Sequence, residues 1–294
     1  MDGIILVDKP AGPSSAEIVR RIKGQVKPAR VGHLGTLDPF ATGVLPILVG
    51  EGTKLATFLQ EGEKEYEGLI ALGAETDTLD HSGTVVRTAA VPELEPSRLR
   101  EIAERFTGMI EQTPPIYSAI KRAGVALYRR ARRGEEVAPP PSRRIEVRRL
   151  ELEANGPDAI RFLLVCSPGT YVRSLARDIG IALDSAAHLA ELRRNRSGRF
   201  HVAGARPLQD VMRALDDGEP AGLIGLRESM ADVAEVAVDA EVERRLRNGD
   251  SRALDGLVPP GAKIFKVVAR GELLAIAEAA SRVTARMLRV FNVA

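Results

Sequence analysis

The stretch "GHLGTLDPFATGVLP", residues 32–46, sets one acid, Asp38, between a leucine and a proline in a loop punctuated by glycines that then runs into apolar sequence. Pro39 disfavours a helical Asp38 and pushes it towards an extended conformation that can project its side chain. Gly32, Gly35 and Gly43 let a backbone approach another molecule closely. Two readings stand. Asp38 can be a helix N-cap followed by proline at the first helical position. It can also be a carboxylate nucleophile, which in apolar company needs a cation to stay ionised, because burial alone raises its pKa. No Lys or Arg occurs between Arg30 and Lys54, so that cation must come from elsewhere in the chain.

Upstream of the loop, "GIILVDKP" (3–10) is a short apolar run ended by a breaker and reads as a buried strand. Ser14 with Glu17 forms a capping box, and Ile18, Ile22 and Val26 follow on one helical face until Pro28. Downstream, "EGTKLATFLQEG" (51–62) reads as a short helix. "EYEGLIALG" (65–73) alternates as a strand with Tyr66, Ile70 and Leu72 on one side, and "TVVR" (84–87) is its expected hairpin partner. Pro96 opens a helix whose apolar stripe is Leu99, Ile102, Ala103 and Phe106, ending near Gly108. "VALYRRARRG" (125–134) suggests a short cationic helix. "IEVRRLEL" (145–152) and "AIRFLLV" (159–165) read as strands, and Val172, Leu175, Ala176, Ile179 and Leu183 mark an amphipathic helix with Tyr171 and Arg173 in its first turn. "LRRNRSGRF" (192–200) reads as a charged return strand.

From about residue 203 a helical connector leads to a small module near Val236. Its runs "KIFKVVA" (263–269), "ELLAIAEA" (272–279) and "RMLRVFNV" (286–293) predict a small β-barrel. The fold class expected is therefore α+β, in two domains. Residues 1–235 form the larger, with an excursion over about 113–145, and 236–294 form the smaller.

A net charge of +2 hides a strong asymmetry. Residues 1–112 carry 12 basic against 17 acidic side chains, 113–200 carry 17 against 9, and 201–294 carry 13 against 14. The basic middle is nearly all arginine, which suits bidentate phosphate contacts and points to a polyanion. Solvated helix faces would give the same counts. A single cysteine, Cys166, excludes an intramolecular disulfide and any cysteine zinc cluster. The four histidines are scattered, and glycine-rich phosphate loops and a nucleophile-elbow serine are missing, so metal, nucleotide and dinucleotide chemistry lose ground. No apolar stretch is long enough to span a membrane, and a soluble cytoplasmic protein is expected. A base-stacking protein needs rings. This one has no Trp and four tyrosines, Tyr66, Tyr117, Tyr128 and Tyr171, of which Tyr171 is the hardest to dismiss as packing.

Taken together, these motifs resemble the bacterial tRNA pseudouridine-55 synthases of the TruB type. "GHLGTLDPFATGVLP" is similar to their catalytic loop and "VDKPAGPSSAE" to their amino-terminal motif. "KEYEG" is similar to the strand bearing the active-site tyrosine, and "PPIYSAIKRAGVALYRRARRGEE" to the segment over the substrate. "CSPGTYVRSLARDIG" and "LRRNRSGRF" follow in the same order. The resemblance implies a pseudouridine synthase fold, a mixed and mainly antiparallel sheet flanked by helices, with a carboxy-terminal PUA-like RNA-binding barrel. It implies that Asp38 is the catalytic aspartate, Arg173 its basic partner and Tyr66 the tyrosine on the target base. Tyr171 becomes the second pocket tyrosine, Leu192 an apolar wall, His33 the histidine against flipped nucleotides, and Lys9-Pro10 the support of the site floor. Lys121, Arg129, Arg130, Arg132, Arg133, Arg193 and Arg196 become candidates for the RNA backbone. The implied partner is the T-arm of tRNA, met by a monomer without metal or cofactor. Leu34, Phe40 and Asn195 depart from the family pattern, and only Leu34, beside His33, bears on substrate packing.

Three rival readings remain at this level. A non-catalytic RNA-binding protein on the same scaffold predicts a damaged loop, yet Asp38, Arg173, Tyr66 and Tyr171 are all present. A glycosidic hydrolase using Asp38 needs a second carboxylate, which the sequence alone does not identify. A small-molecule enzyme leaves the basic middle segment unexplained.

Overall fold

The computed structural model describes residues 1–292 apart from 28, 61, 119, 120, 123, 124, 128, 129, 131, 132, 134 and 136, with the backbone alone at 121, 122, 125 and 126. The first apolar run forms β1 (Gly3–Lys9), and its uninterrupted hydrophobicity follows from burial on both faces. Ile5 and Val7 enter the main core, while Ile4 and Leu6 enter a second cluster with Leu34, Val44, Leu48 and Phe200. Each such side chain contributes roughly 1.5–3 kcal/mol on leaving water. The helix α1 (Ser15–Gln25) starts where the capping residues place it, with the Glu17 N–H donating to Ser14 Oγ at 3.2 Å.

β2 (Val31–His33), β3 (Thr42–Val49), the short helix α2 (Ala56–Leu59), β4 (Lys64–Leu72), and the hairpin β5 (Ala74–Thr76) and β6 (Val85–Thr88) follow. Next come α3 (Pro96–Arg105), β7 (Gly108–Gln112), the two-residue strands β8 (Lys121–Arg122) and β9 (Val125–Ala126), β10 (Arg143–Ala154) and β11 (Ala159–Cys166). The elements of this larger unit end with α4 (Val172–Ala182), β12 (Ala187–Ser197), β13 (Phe200–His201), β14 (Arg206–Pro207) and α5 (Leu208–Asp216). Ten of these strands make one mixed sheet, ordered β14-β1-β3-β12-β4-β11-β10-β7, with β2 on β3 and β13 on β12. Only the β1–β14 and β3–β12 pairings are parallel. Residues from α1, α3, α4 and α5 pack into the same core cluster as the inward side chains of the sheet.

The pairing of 84–87 differs from expectation: β6 pairs with β5, while β4 lies between β12 and β11. The charged run at 192–200 closes β12 and turns back into β13, antiparallel to it. β12 lies in the middle of the sheet between β3 and β4, and Arg194 on it is buried. Of the cationic helix expected at 125–134, Val125–Ala126 pair instead as a strand with Lys121–Arg122, Leu127 and Arg130 are helical, and most of the rest lies outside the described residues.

The second unit consists of α6 (Leu226–Ser229), β15 (Ala234–Val238), α7 (Ala240–Arg247), β16 (Ile264–Ala269), β17 (Glu272–Ala279) and β18 (Ala285–Val290). Its strands form an open sheet in the order β15-β16-β17-β18, with no closed barrel among the described residues. The sheet is covered instead of closed. Phe265, Val267 and Ala275 pack with Leu246 and Leu254 in one cluster. Leu273, Ile276 and Phe291 pack with Leu55, Leu226 and Met230 in another, which joins the unit to the end of β3. The Lys54 ammonium reinforces that junction by donating to the Val290 carbonyl at 2.9 Å.

Candidate active site

The Asp38 loop is fastened to the β1–α1 turn. Ser15 Oγ donates to the Leu37 carbonyl (3.0 Å) and accepts from the Leu37 N–H (2.9 Å), so it satisfies both backbone groups of the residue before Asp38. Lys9 has no exposed surface, and its ammonium donates to the carbonyls of Pro10 (2.9 Å), Pro39 (2.9 Å) and Ala41 (2.7 Å). The Gly12 N–H also donates to the Pro39 carbonyl. At Asp38 itself the backbone carbonyl accepts from the Ala41 N–H, closing a turn. The carboxylate takes no part in that turn, so the helix-cap reading fails and the turn reading holds for the backbone alone.

Gly43, at φ +104°, lies against β12, where a Cβ would meet Arg194 backbone atoms at 2.2–2.8 Å. The close approach that this glycine permits is to the protein's own strand, not to another molecule.

The missing cation is Arg173, in the first turn of α4. Its Nη2 donates to Asp38 Oδ1 at 3.1 Å, and its Nε lies 2.9 Å from Oδ2 as a charge contact without hydrogen-bond alignment. The guanidinium is fixed on its other edges: Nη1 donates to the Thr78 carbonyl (2.7 Å), Nη2 to the Tyr117 carbonyl (3.0 Å), and Asp80 Oδ2 stands 3.5 Å from Nη1. α4 is positioned by Gln112 on β7, whose amide accepts from the Tyr171 N–H (2.8 Å) and donates to the Tyr171 carbonyl (3.0 Å). Asp38 keeps 31% of its side-chain surface exposed, a carboxylate set in a crowded pocket with one open side. Burial pushes its pKa up, and Arg173 opposes that shift by charge and by hydrogen bonding.

Asp80 is a second carboxylate beside the pair, but its Oδ1 accepts from Thr78 Oγ1, Ser82 Oγ and the Ser82 N–H. It acts as a buried counter-charge to Arg173 and not as an acid facing an open pocket. Sequence reasoning missed it because "TDTLDHSG" looks like any polar hairpin turn.

Tyr66 is buried on β4 and pairs across the sheet with Arg194 and Leu164. Burial pushes its phenol pKa up, and the positive charge of the nearby Arg194 guanidinium opposes that. Leu192, two residues before Arg194, is buried in the same core cluster as Tyr66. With Phe40, His81 and Arg193 it also lines a cleft of about 1060 Å³ that runs over β4 and β11 to Glu151 and Glu153. His33 Nδ1 is buried without a partner, and burial first, then Arg194, lower the imidazole pKa and favour its neutral form. The Tyr171 ring lies beneath the Arg143 guanidinium at 4.7 Å.

The backbone candidates divide. Arg193 makes two hydrogen bonds to Asp8 (3.1 and 2.8 Å), Arg196 pairs with Glu63 and Glu65, and Arg130 pairs with Glu135. Arg133 is exposed. Arg129, Arg132 and the Lys121 side chain lie outside the described residues. Among the described residues no three His, Cys, Asp or Glu side chains group as metal ligands, and no helix is long and apolar enough to cross a membrane.

Comparison with known proteins places this geometry. Residues 20–172 match the TruB family pseudouridylate synthase N-terminal domain, and residues 173–260 match the tRNA pseudouridylate synthase B C-terminal domain. The chain is 39% identical to tRNA pseudouridine synthase B of Geobacter sulfurreducens, covering 99% of this chain and 100% of that one. It is 42% identical to the protein of the same name from Geotalea uraniireducens, covering 93% and 86%. Among solved structures, a Cbf5-Nop10-Gar1 complex superposes with a TM-score of 0.72 at 24% identity, over 98% of this chain and 84% of that one. An H/ACA RNP bound to a substrate RNA containing 2'-deoxyuridine superposes with a TM-score of 0.73 at 23% identity, over 99% and 85%. At those identities the likeness concerns the fold.

Proposed function

Because the chain belongs to the TruB family of pseudouridylate synthases, we propose that it isomerises uridine to pseudouridine in tRNA, at position 55 of the T-loop. The observation that carries this reading is the Asp38 carboxylate held by a buried arginine that two backbone carbonyls and Asp80 fix in place. The reaction breaks the bond from ribose C1' to uracil N1, turns the base and joins C1' to C5. The C5 proton leaves and N1 gains one. The change is redox-neutral and requires no metal or cofactor.

A stacked base is out of reach of such a pocket, so the enzyme flips the nucleotide out and replaces its stacking. Asp38 initiates glycosidic cleavage as nucleophile, with Arg173 keeping it charged and oriented. Attack on the sugar and attack on the base both use these residues. Tyr66 caps the base, Tyr171 and Leu192 form further walls, and His33 packs neutral against the displaced nucleotides. Lys9 and Pro10 support the floor.

Lys121, Arg129, Arg130, Arg132, Arg133, Arg193 and Arg196 face the RNA backbone. Arg130, Arg193 and Arg196 exchange a carboxylate for a phosphate there, so each adds less affinity than an unpaired arginine. Residues 1–235 carry the chemistry, with 113–145 over the T-arm, and 236–294 act as a PUA-like RNA-binding unit of a cytoplasmic monomer.

The test is T-arm RNA tritiated at uracil C5. The protein releases the label and leaves pseudouridine at position 55, and Asp38→Asn releases none. Label release at the unaltered rate by Asp38→Asn removes the nucleophile role, and free uracil as product means a hydrolase.

A further inference from the structure

Arg194 is 1% exposed and heads the fully buried side chains by volume, yet no carboxylate lies within 4 Å of it among the described residues. Taking a guanidinium out of water without a counter-ion is expensive unless its donors are met and a negative charge develops nearby. Two of its nitrogens are met by the loop that carries Asp38: Nε donates to the Val44 carbonyl (2.9 Å) and Nη2 to the Gly35 carbonyl (3.1 Å). These carbonyls stand on either side of Asp38 in the chain. Across the sheet Arg194 is the register partner of Tyr66, so the two side chains leave the same face side by side. The groups that feel its charge are otherwise neutral or cationic, namely His33, Lys9 and Lys64, apart from Tyr66. Of these four groups, Tyr66 alone becomes an anion on losing its proton.

We infer that Arg194 is a positioning residue for the reaction: it locks the Tyr66 oxygen into one frame with the Asp38 loop and stabilises negative charge on that oxygen while the C5 proton is removed. The inference rests on the proposed isomerisation and on Tyr66 facing the target base. In the step concerned, the Tyr66 phenol passes its proton through water to N1 as the C5 proton arrives, so its oxygen is anionic only in passing. The C5–H bond breaks, its electron pair returns to the uracil ring, the proton passes to the Tyr66 oxygen, and N1 takes a proton from that water. Sequence reasoning named its neighbours Arg193 and Arg196 as backbone candidates and gave Arg194 no role of its own. Strand alternation was the available signal, because Leu192 and Arg194 are two residues apart and share a face.

The experiment uses full-length protein with Arg194→Lys and Arg194→Met, and T-arm RNA carrying protium or deuterium at C5 of the target uridine. For Arg194→Met, kcat falls at least about tenfold while KM stays within about threefold, as expected of an interaction made mainly in the transition state. The protium-to-deuterium ratio of kcat rises above the unaltered enzyme's, because proton removal has become the slow step. Arg194→Lys keeps the charge but cannot span both carbonyls, so its kcat falls less and its isotope ratio also rises. It reads the same quantity if Arg194→Met fails to fold. A lower kcat with an unchanged isotope ratio makes Arg194 a structural support only and overturns the inference, as does an unchanged kcat. If the unaltered enzyme forms no pseudouridine, the isomerase reading itself has failed, and that is seen before any variant is compared.

Discussion

Replacing Lys9 by Met tests how the site floor is held. The change conserves most of the volume but removes an ammonium with no exposed surface and its three hydrogen bonds, to Pro10, Pro39 and Ala41. A charged hydrogen bond contributes roughly 1.5–3 kcal/mol. Three of them amount to about 4.5–9 kcal/mol. Against this stands the penalty of burying the charge. Burial lowers the Lys9 pKa from 10.5 to about 8, with Asp38 resisting the shift and Arg194 adding to it. At 1.36 kcal/mol per pH unit that penalty is at most about 3 kcal/mol, and Lys9→Met is relieved of it. The net expectation near neutral pH is a loss of about 1.5–6 kcal/mol, read as a lower urea midpoint with an unchanged slope.

The sign of the pH dependence gives the sharper check. Between pH 8 and 10.5 the unfolded chain still holds the Lys9 proton and the folded chain has released it, so folded stability rises with pH. The burial penalty is therefore fully present below pH 8 and fades above it, in the unaltered protein only. Lys64, lowered to about 8 by burial, titrates alike in both proteins and cancels in the difference. The stability gap between the two proteins should widen as pH rises from 7 to 10. A gap that stays flat or narrows refutes the reasoning, and so does a variant as stable as its parent.

Two further outcomes follow from the same geometry. Arg173→Gln leaves Asp38 without its cation, and breaking a partly buried pair of this kind costs roughly 3–5 kcal/mol, or about a hundred- to a few-thousand-fold in kcat. In the proposed reaction Asp38 works as a carboxylate, a form that is lost as pH falls through its pKa, which burial has already raised. The acid limb of the variant's pH–rate profile therefore moves to higher pH, and a limb that stays in place contradicts the pairing. Phe291→Ala empties a fully buried site between the two units and should cost roughly 3–5 kcal/mol in denaturant unfolding. A loss below about 1 kcal/mol would mean that the junction does not hold them together.

Much of this arrangement was legible in the sequence. Apolar periodicity located β1, α1, β4, α3, β11 and α4, because each buries a stripe whose spacing is local information. The need of Asp38 for a cation could be argued from burial alone, but Arg173, 135 residues away, could be named only through the family resemblance. Sheet order was not legible. "LRRNRSGRF" has the composition of a surface strand, and nothing local says that its second arginine is roofed by β3 and β4. Asp80 stayed hidden for a related reason, since its role depends on an arginine from another element. The expected barrel failed on a global matter. Three apolar runs predict strands, but whether a sheet closes depends on what else covers its faces, and here a helix and the larger unit do so.

The central place of β12 also bears on how the chain acquires its structure. Without it the large sheet is two half-sheets, β14-β1-β3 with β2 and β4-β11-β10-β7, sharing no strand. Residues 3–49 can pair early and 64–166 can pair among themselves, but the strand that joins them is made later than both. Neither half can close its inner edge until Ala187–Ser197 slides between β3 and β4, parallel to one and antiparallel to the other. Such late, non-local insertion makes folding slow, and until then it leaves two unpaired edges open to wrong partners. The same event seats Arg194 against Gly35, Val44 and Tyr66, so the chemistry comes into being in the step that completes the fold.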